Sequence, residues 1–599
     1  MKMKRNTRMQ VAKMGSVSFA VLIALGAITP AKAEIVADSS AVASQQPDIV
    51  NNTDAATVVN ITTPSAAGVS RNTYSQFDVD QNGVILNNSQ NGASTYLGGT
   101  IEGNSSLADG TASIILNEIN SSSASQLNGY IEVAGDKAEV VIANPSGITC
   151  DGCGFINASR ATLTTGVAQI DDDGNLTGYS VEEGEVTIDG SGMNSLGQDY
   201  TDIIARSVKV NAAVRARDLK ITTGRNTVDV ANEVVTKLTD DETSSSPELA
   251  LDVTSLGGMY AGKITLVGTE SGVGVSNAGT LVAAAGSVSL TAGGDIENAG
   301  RISSAGGATL NGANVSNSGL LVSNNTVTMA GTGDVTNSGY VKASNAVLVE
   351  AVGAVNNSGS LVSNGGGISL TGSSIDNSGL VYSKSSRKWY NSGGVTLTST
   401  GDLVNSGSVY SSDALTIASD GSVDNSGSVY SSDAVTIASE GSVDNSGYIS
   451  SGRELTLTSA SLTNSGSLSS TGDMALTSDG DVTNTGTIAS QQNLTISAAT
   501  LNSGADSTLS AGNRRRNNSG NLTVTTTGAL VAQGTNHASG ALSMQGDSID
   551  ISGSTTEGTS IDLQATDDNV VSTDATVTTL ASTNTSGSQH GSKWFPFFR

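Results

Sequence analysis

A short turn motif, Asn-Ser-Gly or a close variant, recurs through the second half of the chain at steps of about 20 residues. The series contains one longer step, and its members begin at Asn277, Asn298, Asn317, Asn337, Asn357, Asn377, Asn405, Asn425, Asn445, Asn464, Asn484 and Asn502. Short runs with alternating apolar residues separate the motifs, without a helical pattern. A fixed period built from strands and turns is typical of a β-solenoid. We therefore predict an all-β rod, which offers a long side surface and needs no active-site cleft.

The repeat at residues 421–440 illustrates the expected packing. Val423, Val429, Val435 and Ile437 fall in three short strands, and neighbouring repeats carry aliphatic residues at the same steps. Stacking coil on coil would give one continuous aliphatic core. The asparagines would stack at one corner as an amide ladder, where Asn and Gly tolerate left-handed backbone conformations. About 25 coils would make a rod on the order of 120 Å long.

The first 33 residues look like a signal peptide. A basic start precedes an apolar stretch from Gly15 to Ile28, and Ala31 and Ala33 supply small residues before a predicted cut at Glu34. No other segment approaches about 18 apolar residues, so we expect no membrane-spanning segment in the mature chain. Loss of six basic residues would change the formal charge from −27 to −33. A surface this acidic repels nucleic acid, which we do not expect as a partner.

An ordered series of motifs lies upstream of the repeats, within residues 71–275. The motifs stand at Tyr74–Val79, Gly83–Asn88, Gln126–Val133, Ala143–Phe155, Arg160–Gly166, Ala250–Val253 and Gly257–Gly262. In content and order they resemble the N-terminal secretion domain (haemagglutination activity domain) of two-partner secretion exoproteins, the filamentous haemagglutinin-like adhesins. The resemblance implies a right-handed parallel β-helix of about 20 residues per coil, capped by this domain.

The resemblance also implies a division of the chain and an export route. We expect a signal peptide at 1–33, a two-partner secretion domain at 34–255, a β-helix repeat shaft at 256–564 and a low-complexity tail with an aromatic terminus at 565–599. The partner would be an outer-membrane β-barrel with periplasmic binding domains. The chain would fold outside the cell, either released or retained at the outer-membrane surface.

The resemblance implies that the secretion partner recognises Asn144, Pro145, Ser146, Gly147 and Ile148. The third residue departs from the family motif, which has Asn where Ser146 stands. A second family motif, Asn-Pro-Asn-Leu, is replaced upstream by Ser121–Ser125. The residues of the first motif also predict a turn, because Pro145 fixes φ and Gly147 is conformationally permissive. The alternative interpretation is therefore that this motif is a structural corner of the coil.

Cys150 and Cys153 are the only cysteines of the chain. Export favours an oxidised local bridge, and we expect a disulfide here rather than free thiols. A metal site is not expected, because the only histidines are His537 and His590. We expect no cofactor either.

One insertion interrupts the repeats where the step from Asn377 to Asn405 is longer. It carries the basic and aromatic residues Lys384, Arg387, Lys388, Trp389 and Tyr390. Insertions in a solenoid leave one face as a loop. Two readings stay open, a partner-binding loop on an otherwise acidic rod and a tolerated surface loop.

Together these features predict a secreted or surface-held, non-enzymatic adhesin of the haemagglutinin type. The first alternative is an exoprotein of the contact-dependent inhibition or cytolysin type, in full or truncated form, because such proteins share this N-terminus. The second is a β-helix enzyme acting on polysaccharide, for which the acidic turn at Asp171–Asp173 would be the densest carboxylate cluster. That turn reads more naturally as structural, and we expect no catalytic residue.

Overall fold

The computed structural model describes residues 34–51, 55–239, 245–384, 393–513, 519–567 and 569–580. These residues form a right-handed parallel β-helix, which confirms the predicted fold class. Each coil has three strands, which we assign to faces A, B and C in chain order. In one coil these are Val423–Asn425, Ser428–Ser431 and Val435–Ser439. Among the described residues no helix is long and apolar enough to cross a membrane.

The strands of each face pair in parallel register from coil to coil, apart from antiparallel pairs at the N-terminal end. Face A contains Ser125–Leu127, Ser207–Val210, Leu249–Val253, Gly274–Asn277, Ile296–Asn298, Val315–Asn317, Val335–Asn337, Ala354–Asn357, Ser374–Asn377, Leu403–Asn405, Val423–Asn425, Ser442–Asn445, Ser461–Asn464, Asp481–Asn484, Thr500–Ser503, Leu530–Ala532, Ile549–Asp550 and Val570–Val571. Face B contains Asp48–Val50, Thr57–Asn60, Val84–Asn88, Tyr130–Gly135, Ala213–Ala216, Gly258–Ala261, Thr280–Ala283, Arg301–Ser304, Leu320–Ser323, Tyr340–Ala343, Ser360–Ser363, Leu380–Ser383, Ser408–Ser411, Ser428–Ser431, Tyr448–Ser451, Ser467–Ser470, Thr487–Ser490, Thr508–Ala511, Thr535–Ala538, Thr555–Gly558 and Thr576–Thr579. Two long strands, Ile148–Ile156 and Glu185–Ser195, bend around the corner and belong to both faces.

Face C is a sheet of 22 strands. Its members are Ile35–Ala37, Val69–Phe77, Ile114–Ile119, Ala138–Ala143, Ala158–Thr164, Tyr200–Ala205, Asp218–Thr223, Lys263–Gly268, Val288–Thr291, Ala308–Gly312, Val327–Gly331, Val347–Ala351, Ile368–Gly372, Val395–Ser399, Leu415–Ser419, Val435–Ser439, Leu455–Ser459, Met474–Ser478, Leu494–Ala498, Leu522–Thr526, Ala541–Gly546 and Ser560–Ala565. At the usual spacing of strands this number of coils rises by about 100 Å. The described rod is therefore shorter than the sequence estimate.

The predicted core of stacked aliphatic side chains is present. Val423, Val429, Val435 and Ile437 are buried, and they lie in one continuous cluster with their equivalents in the other coils. Thr436, between two of them, faces solvent. Alternation at period two therefore decides which side chains enter the core.

The predicted amide ladder runs along the corner between faces A and B. In each of ten steps the side-chain Nδ2 of one asparagine donates to Oδ1 of the next, at 2.7 or 2.8 Å, from Asn277 through to Asn484. The insertion does not disturb the ladder, since Asn377 bonds directly to Asn405 at 2.7 Å. Asn502 is not a member. Asn484 pairs with Ser503 instead and donates to its hydroxyl at 3.2 Å.

The expected reason for Asn and Gly at this corner is wrong. None of the asparagines or glycines of the ladder corner from Asn277 to Gly486 has a left-handed φ. Glycine is required because successive coils approach closely. A Cβ on Gly427 would lie 2.1 Å from the carbonyl oxygen of Gly407, and one on Gly319 would lie equally close to that of Gly300.

Two small antiparallel sheets and two 3-10 turns add to the N-terminal half. The first sheet consists of Val167–Ile170, Leu176–Val181, Asn226–Asp229 and Val235–Lys237, and the second of Ala93–Thr95 and Gly99–Ile101. The 3-10 turns are Ala43–Gln45 and Ser105–Leu107. The four-stranded sheet covers the outer side of face C, where Leu116, Val141 and Tyr179 form a second apolar core.

Candidate secretion-recognition site

The turn at Asn144–Ile148 connects the face C strand Ala138–Ala143 to the bent strand Ile148–Ile156. Asn144 is fully buried. Its Oδ1 accepts from the backbone N–H of Ser146 at 2.9 Å, and its carbonyl accepts from the N–H of Gly147 at 3.0 Å. Gly147 has a φ of +112°, which favours glycine at this position. The motif therefore folds as a compact turn held by its own asparagine.

The serine segment that replaces the second family motif stacks directly on this turn. Asn144 Nδ2 donates to the carbonyl of Ser123 and to the hydroxyl of Ser125, both at 3.0 Å. The backbone N–H of Ser125 donates to the carbonyl of Gly147 at 3.1 Å. The two sequence segments therefore form adjacent corners of neighbouring coils.

Few atoms of the motif remain on the surface of the folded domain. Gly147 and Ile148 are buried and Pro145 is half-buried, whereas Ser146 is exposed. The Ser146 hydroxyl donates to the carbonyl of Ser121 at 2.8 Å, so serine at this position has a partner within the fold. A partner that meets the folded domain would contact Ser146 and the edge of Pro145, but not Asn144.

Cys150 and Cys153 form a disulfide across the corner between faces A and B, with Cα atoms 5.3 Å apart. Both side chains face the core and are buried. In the strand register, Cys150 pairs with Ile188, and the same position is occupied in the following coils by Val210, Val253 and Asn277. Cys150 therefore lies in line with the first asparagine of the ladder. One corner of the rod is thus closed by a disulfide in the N-terminal domain and by asparagines in the shaft.

A buried polar cluster attaches the four-stranded sheet to face C, and the sequence analysis did not identify it as a unit. Arg160 Nε donates to Asp202 at 2.5 Å, and its Nη2 donates to the carbonyl of Ala231 at 2.8 Å. Asn232, with a φ of +56°, donates to Asp202 at 2.8 Å and accepts from Thr222 at 2.7 Å.

The same cluster affects a nearby carboxyl group. Burial raises the pKa of Glu139, and the charge of Arg160 partly opposes this effect. Arg160 belongs to one of the sequence motifs, but its partners lie 42 and 71 residues further along the chain. Only the folded coils bring them together.

The insertion loop is described only at its start. Lys384 is exposed, and its backbone N–H donates to the carbonyl of Ser363 at 2.9 Å. Arg387, Lys388, Trp389 and Tyr390 lie outside the described residues. In the chain the insertion follows the face B strand Leu380–Ser383 and precedes the face C strand Val395–Ser399. Its binding role stays a prediction.

Comparison with family models identifies both parts of the chain. Residues 33–298 match the TPS secretion domain. The haemagglutinin repeat matches at residues 304–407, 391–447, 410–486 and 449–514. The chain therefore belongs to the two-partner secretion exoproteins of the filamentous haemagglutinin-like type, as the sequence resemblance indicated. A secretion domain of this family implies an outer-membrane transporter as partner.

Similar proteins carry toxin names. "Toxin CdiA" of Yersinia pestis is 57% identical over 316 residues, which is 52% of this chain and 10% of that protein. "tRNA nuclease CdiA-2" of Burkholderia pseudomallei is 40% identical over 291 residues, which is 48% of this chain and 9% of the relative. This chain thus spans about a tenth of the length of these curated relatives.

Among solved structures, a crystal structure of the filamentous hemagglutinin secretion domain is similar. It is 30% identical and has a TM-score of 0.40, covering 54% of this chain and 98% of that one.

Proposed function

We propose that the N-terminal domain directs export through a partner outer-membrane transporter, which recognises the Asn144–Ile148 segment before this part of the chain has folded. The observation that carries the proposal is the complete burial of Asn144 in the folded domain. Its amide is occupied by Ser123, Ser125 and Ser146. Recognition of the Asn144 side chain therefore requires an open turn.

Binding to the purified periplasmic domains of a two-partner transporter tests this order of events. Chain freshly diluted from urea is expected to bind, and refolded chain is not. Asn144→Ala should weaken binding of the unfolded chain, whereas Asn157→Ala, the same substitution outside the recognised segment, should change it little. Equal binding of folded and unfolded wild-type chain would contradict recognition before folding.

The shaft is best explained as a non-enzymatic adhesin rod, secreted or held at the outer-membrane surface. Its coils enclose a solid aliphatic core, and its ladder asparagines bond to one another rather than facing a cleft. In the described parts of the chain no group of three His, Cys, Asp or Glu side chains is placed to hold a metal. The acidic turn at Asp171–Asp173, considered above as an enzyme's carboxylate cluster, stabilises its own backbone. Oδ1 of Asp171 accepts hydrogen bonds from the backbone N–H groups of Asp173 and Asn175.

Adhesion can be measured with beads coated with the secreted chain. Coated beads should attach to host or bacterial cells, and beads coated with the same chain after heat unfolding should not. Attachment that is no stronger than that of uncoated beads would rule out an adhesin role.

The second candidate function is toxin delivery by contact, for which this chain would supply the N-terminal part. It is favoured by the relatives named as toxin and tRNA nuclease, of which this chain matches about a tenth. A growth competition between cells that produce the chain and cells that lack it distinguishes the two functions. Inhibition of the second strain would support delivery, whereas attachment without inhibition would support the adhesin.

A further inference from the structure

One side of the shaft differs from the other two in its outward side chains. Face B carries an aromatic strip, which we define as the outward residues of the seven strands from Leu320–Ser323 to Tyr448–Ser451. Its largest members, all half-buried or exposed, are Leu320, Tyr340, Leu380, Tyr382, Tyr410, Tyr430 and Tyr448.

The other two faces are mostly polar, although Val404 on face A and Leu348 on face C also point outward. In the same coils face A presents Asp376, Asp424 and Asp444, and face C presents threonines such as Thr416 and Thr436. The described aromatic side chains of these coils are confined to one face of an acidic rod, and a surface of this kind on a protein is often a binding surface.

The tyrosines of the strip form an ordered surface. The rings of Tyr382 and Tyr410 stack with centroids 4.8 Å apart, and those of Tyr410 and Tyr430 stack at 5.3 Å. Tyr448 lies next to serines in its column, Ser428 and Ser467, so its ring is not enclosed between other rings. The strip therefore combines aromatic edges, one open ring and many hydroxyl groups.

The dimensions of the strip argue against a globular partner or a second copy of the chain. Each strand contributes four residues, or about 13 Å, and the outermost strands lie about 29 Å apart. The resulting area of about 400 Å² is half of the roughly 800 Å² that each partner buries in a typical stable protein interface. A long and narrow ligand fits this shape better.

The charge of the rod argues against a polyanion, and the strip offers no carboxylate to a polycation. Lys342 is the one charged side chain among its outward positions in the seven described strands. Polyanions would be repelled by the rod, whose formal charge is −27 even with the basic N-terminus included. Uncharged hydroxyl-rich chains would meet no such barrier.

We propose that the aromatic strip binds an uncharged glycan chain that runs along the rod. Sugar rings pack their C–H groups against aromatic side chains, while their hydroxyls bond to serine and tyrosine hydroxyls. The coils repeat every 4.8 Å or so, close to the length that one sugar adds to an extended glycan. This inference rests on the adhesin function proposed above and names the ligand class.

The test uses the secreted full-length chain on an array of neutral oligosaccharides of increasing length, with heparin as the polyanion. The chain is expected to bind at least one neutral series, more strongly as the glycan lengthens. The variant Tyr382→Ser/Tyr410→Ser/Tyr430→Ser should lose at least about tenfold in affinity, since several aromatic contacts disappear. The matched control is Tyr96→Ser, because Tyr96 is 89% exposed on the separate N-terminal hairpin.

Tyr430→Ser alone tests the site without removing the whole stack, and it should weaken binding while leaving the circular dichroism spectrum unchanged. Binding that is unaffected by the strip variants would overturn the proposal, as would binding to heparin alone. Cell attachment that depends on the strip without any glycan binding would also overturn it, but would leave the adhesin function intact. Absence of cell attachment by the wild-type chain would instead contradict the adhesin function itself.

Discussion

Asn277 donates its side-chain amide to Oδ1 of Asn298 at 2.7 Å, but its own Oδ1 has no hydrogen-bond partner among the described residues. The preceding coil places Val253 at this position, so no donor is available there. Every later asparagine of the ladder both donates and accepts. The ladder therefore has a defined direction and one unsatisfied acceptor at its N-terminal end.

This direction predicts unequal costs for the same substitution at two positions. Asn425→Val leaves the amide of Asn405 and the Oδ1 of Asn445 without their ladder partners, and should cost about 2–4 kcal/mol. Asn277→Val removes an acceptor that is already unpaired and leaves one unpaired on Asn298, so it should change stability by less than about 1 kcal/mol. Urea unfolding of both variants measures the difference. Equal losses would show that the ladder bonds do not act as the geometry indicates.

The close approach of successive coils predicts that replacing a corner glycine strongly destabilises the fold. Gly427→Ala would place Cβ 2.1 Å from the carbonyl oxygen of Gly407, and the coils would have to separate locally. We expect a loss of about 1–3 kcal/mol. Gly504→Ala is the control, because no atom lies within 4 Å of its Cβ and its φ is not left-handed. Thermal unfolding should show a clear loss only for Gly427→Ala, and a similar loss at Gly504 would refute the steric explanation.

Burial of the disulfide predicts that a reductant attacks it much more slowly in the folded chain than in the unfolded chain. Since Cys150 and Cys153 are at most 1% exposed, dithiothreitol should not reduce the bond in the folded protein. In urea the bond should be reduced readily, and a maleimide should then label two thiols, the only ones in the chain.

The same bond should contribute to stability. The variant Cys150→Ala/Cys153→Ala should unfold at lower urea, with a loss of about 2 kcal/mol. Rapid labelling of the native chain after reduction would contradict the closed corner.

Neighbouring aspartates on face A predict that removing the carboxylate of Asp424 stabilises the chain, by an amount that depends on pH. Burial, together with the negative charges of Asp444 and Asp402, raises the pKa of Asp424. The folded state therefore binds this proton more tightly than the unfolded state, and ionisation of Asp424 destabilises the fold at neutral pH.

Asp424→Asn should accordingly stabilise the chain at pH 7, by up to about 1 kcal/mol for an exposed group. The gain should shrink as the pH falls through the raised pKa, because the wild-type carboxyl is then protonated. Melting temperatures measured from pH 7 to pH 3 test this trend. The control is Asp479→Asn, because Asp479 is exposed and is not one of the aspartates that act on Asp424. A gain that is the same at both ends of the range would exclude the electrostatic cause.

The repeat spacing was sufficient to predict the fold class, the core positions and the ladder, because coil stacking turns a local period into a long-range register. It was not sufficient at Asn502, where Ser503 takes the ladder position after a shift of one residue. The role of the corner glycines was also misjudged, since a clash between coils cannot be read from local backbone preferences.

The candidate site was only partly predictable. The Asn144–Ile148 turn and the cysteine pair are local in sequence, so their positions could be recognised. The cluster of Arg160, Asp202 and Asn232 joins three separate segments and has no local pattern. The four-stranded sheet beside it departs from the coil period, and no signal in the sequence analysis separated it from the rod.

The central claim is that the N-terminal domain exports this chain through a dedicated outer-membrane transporter. The most direct measurement is the amount of full-length chain in the medium and on the cell surface, in otherwise identical cells with and without a cognate transporter. We predict that the chain accumulates outside only when the transporter is present and remains in the periplasm without it. Equal amounts outside in both strains would contradict the account.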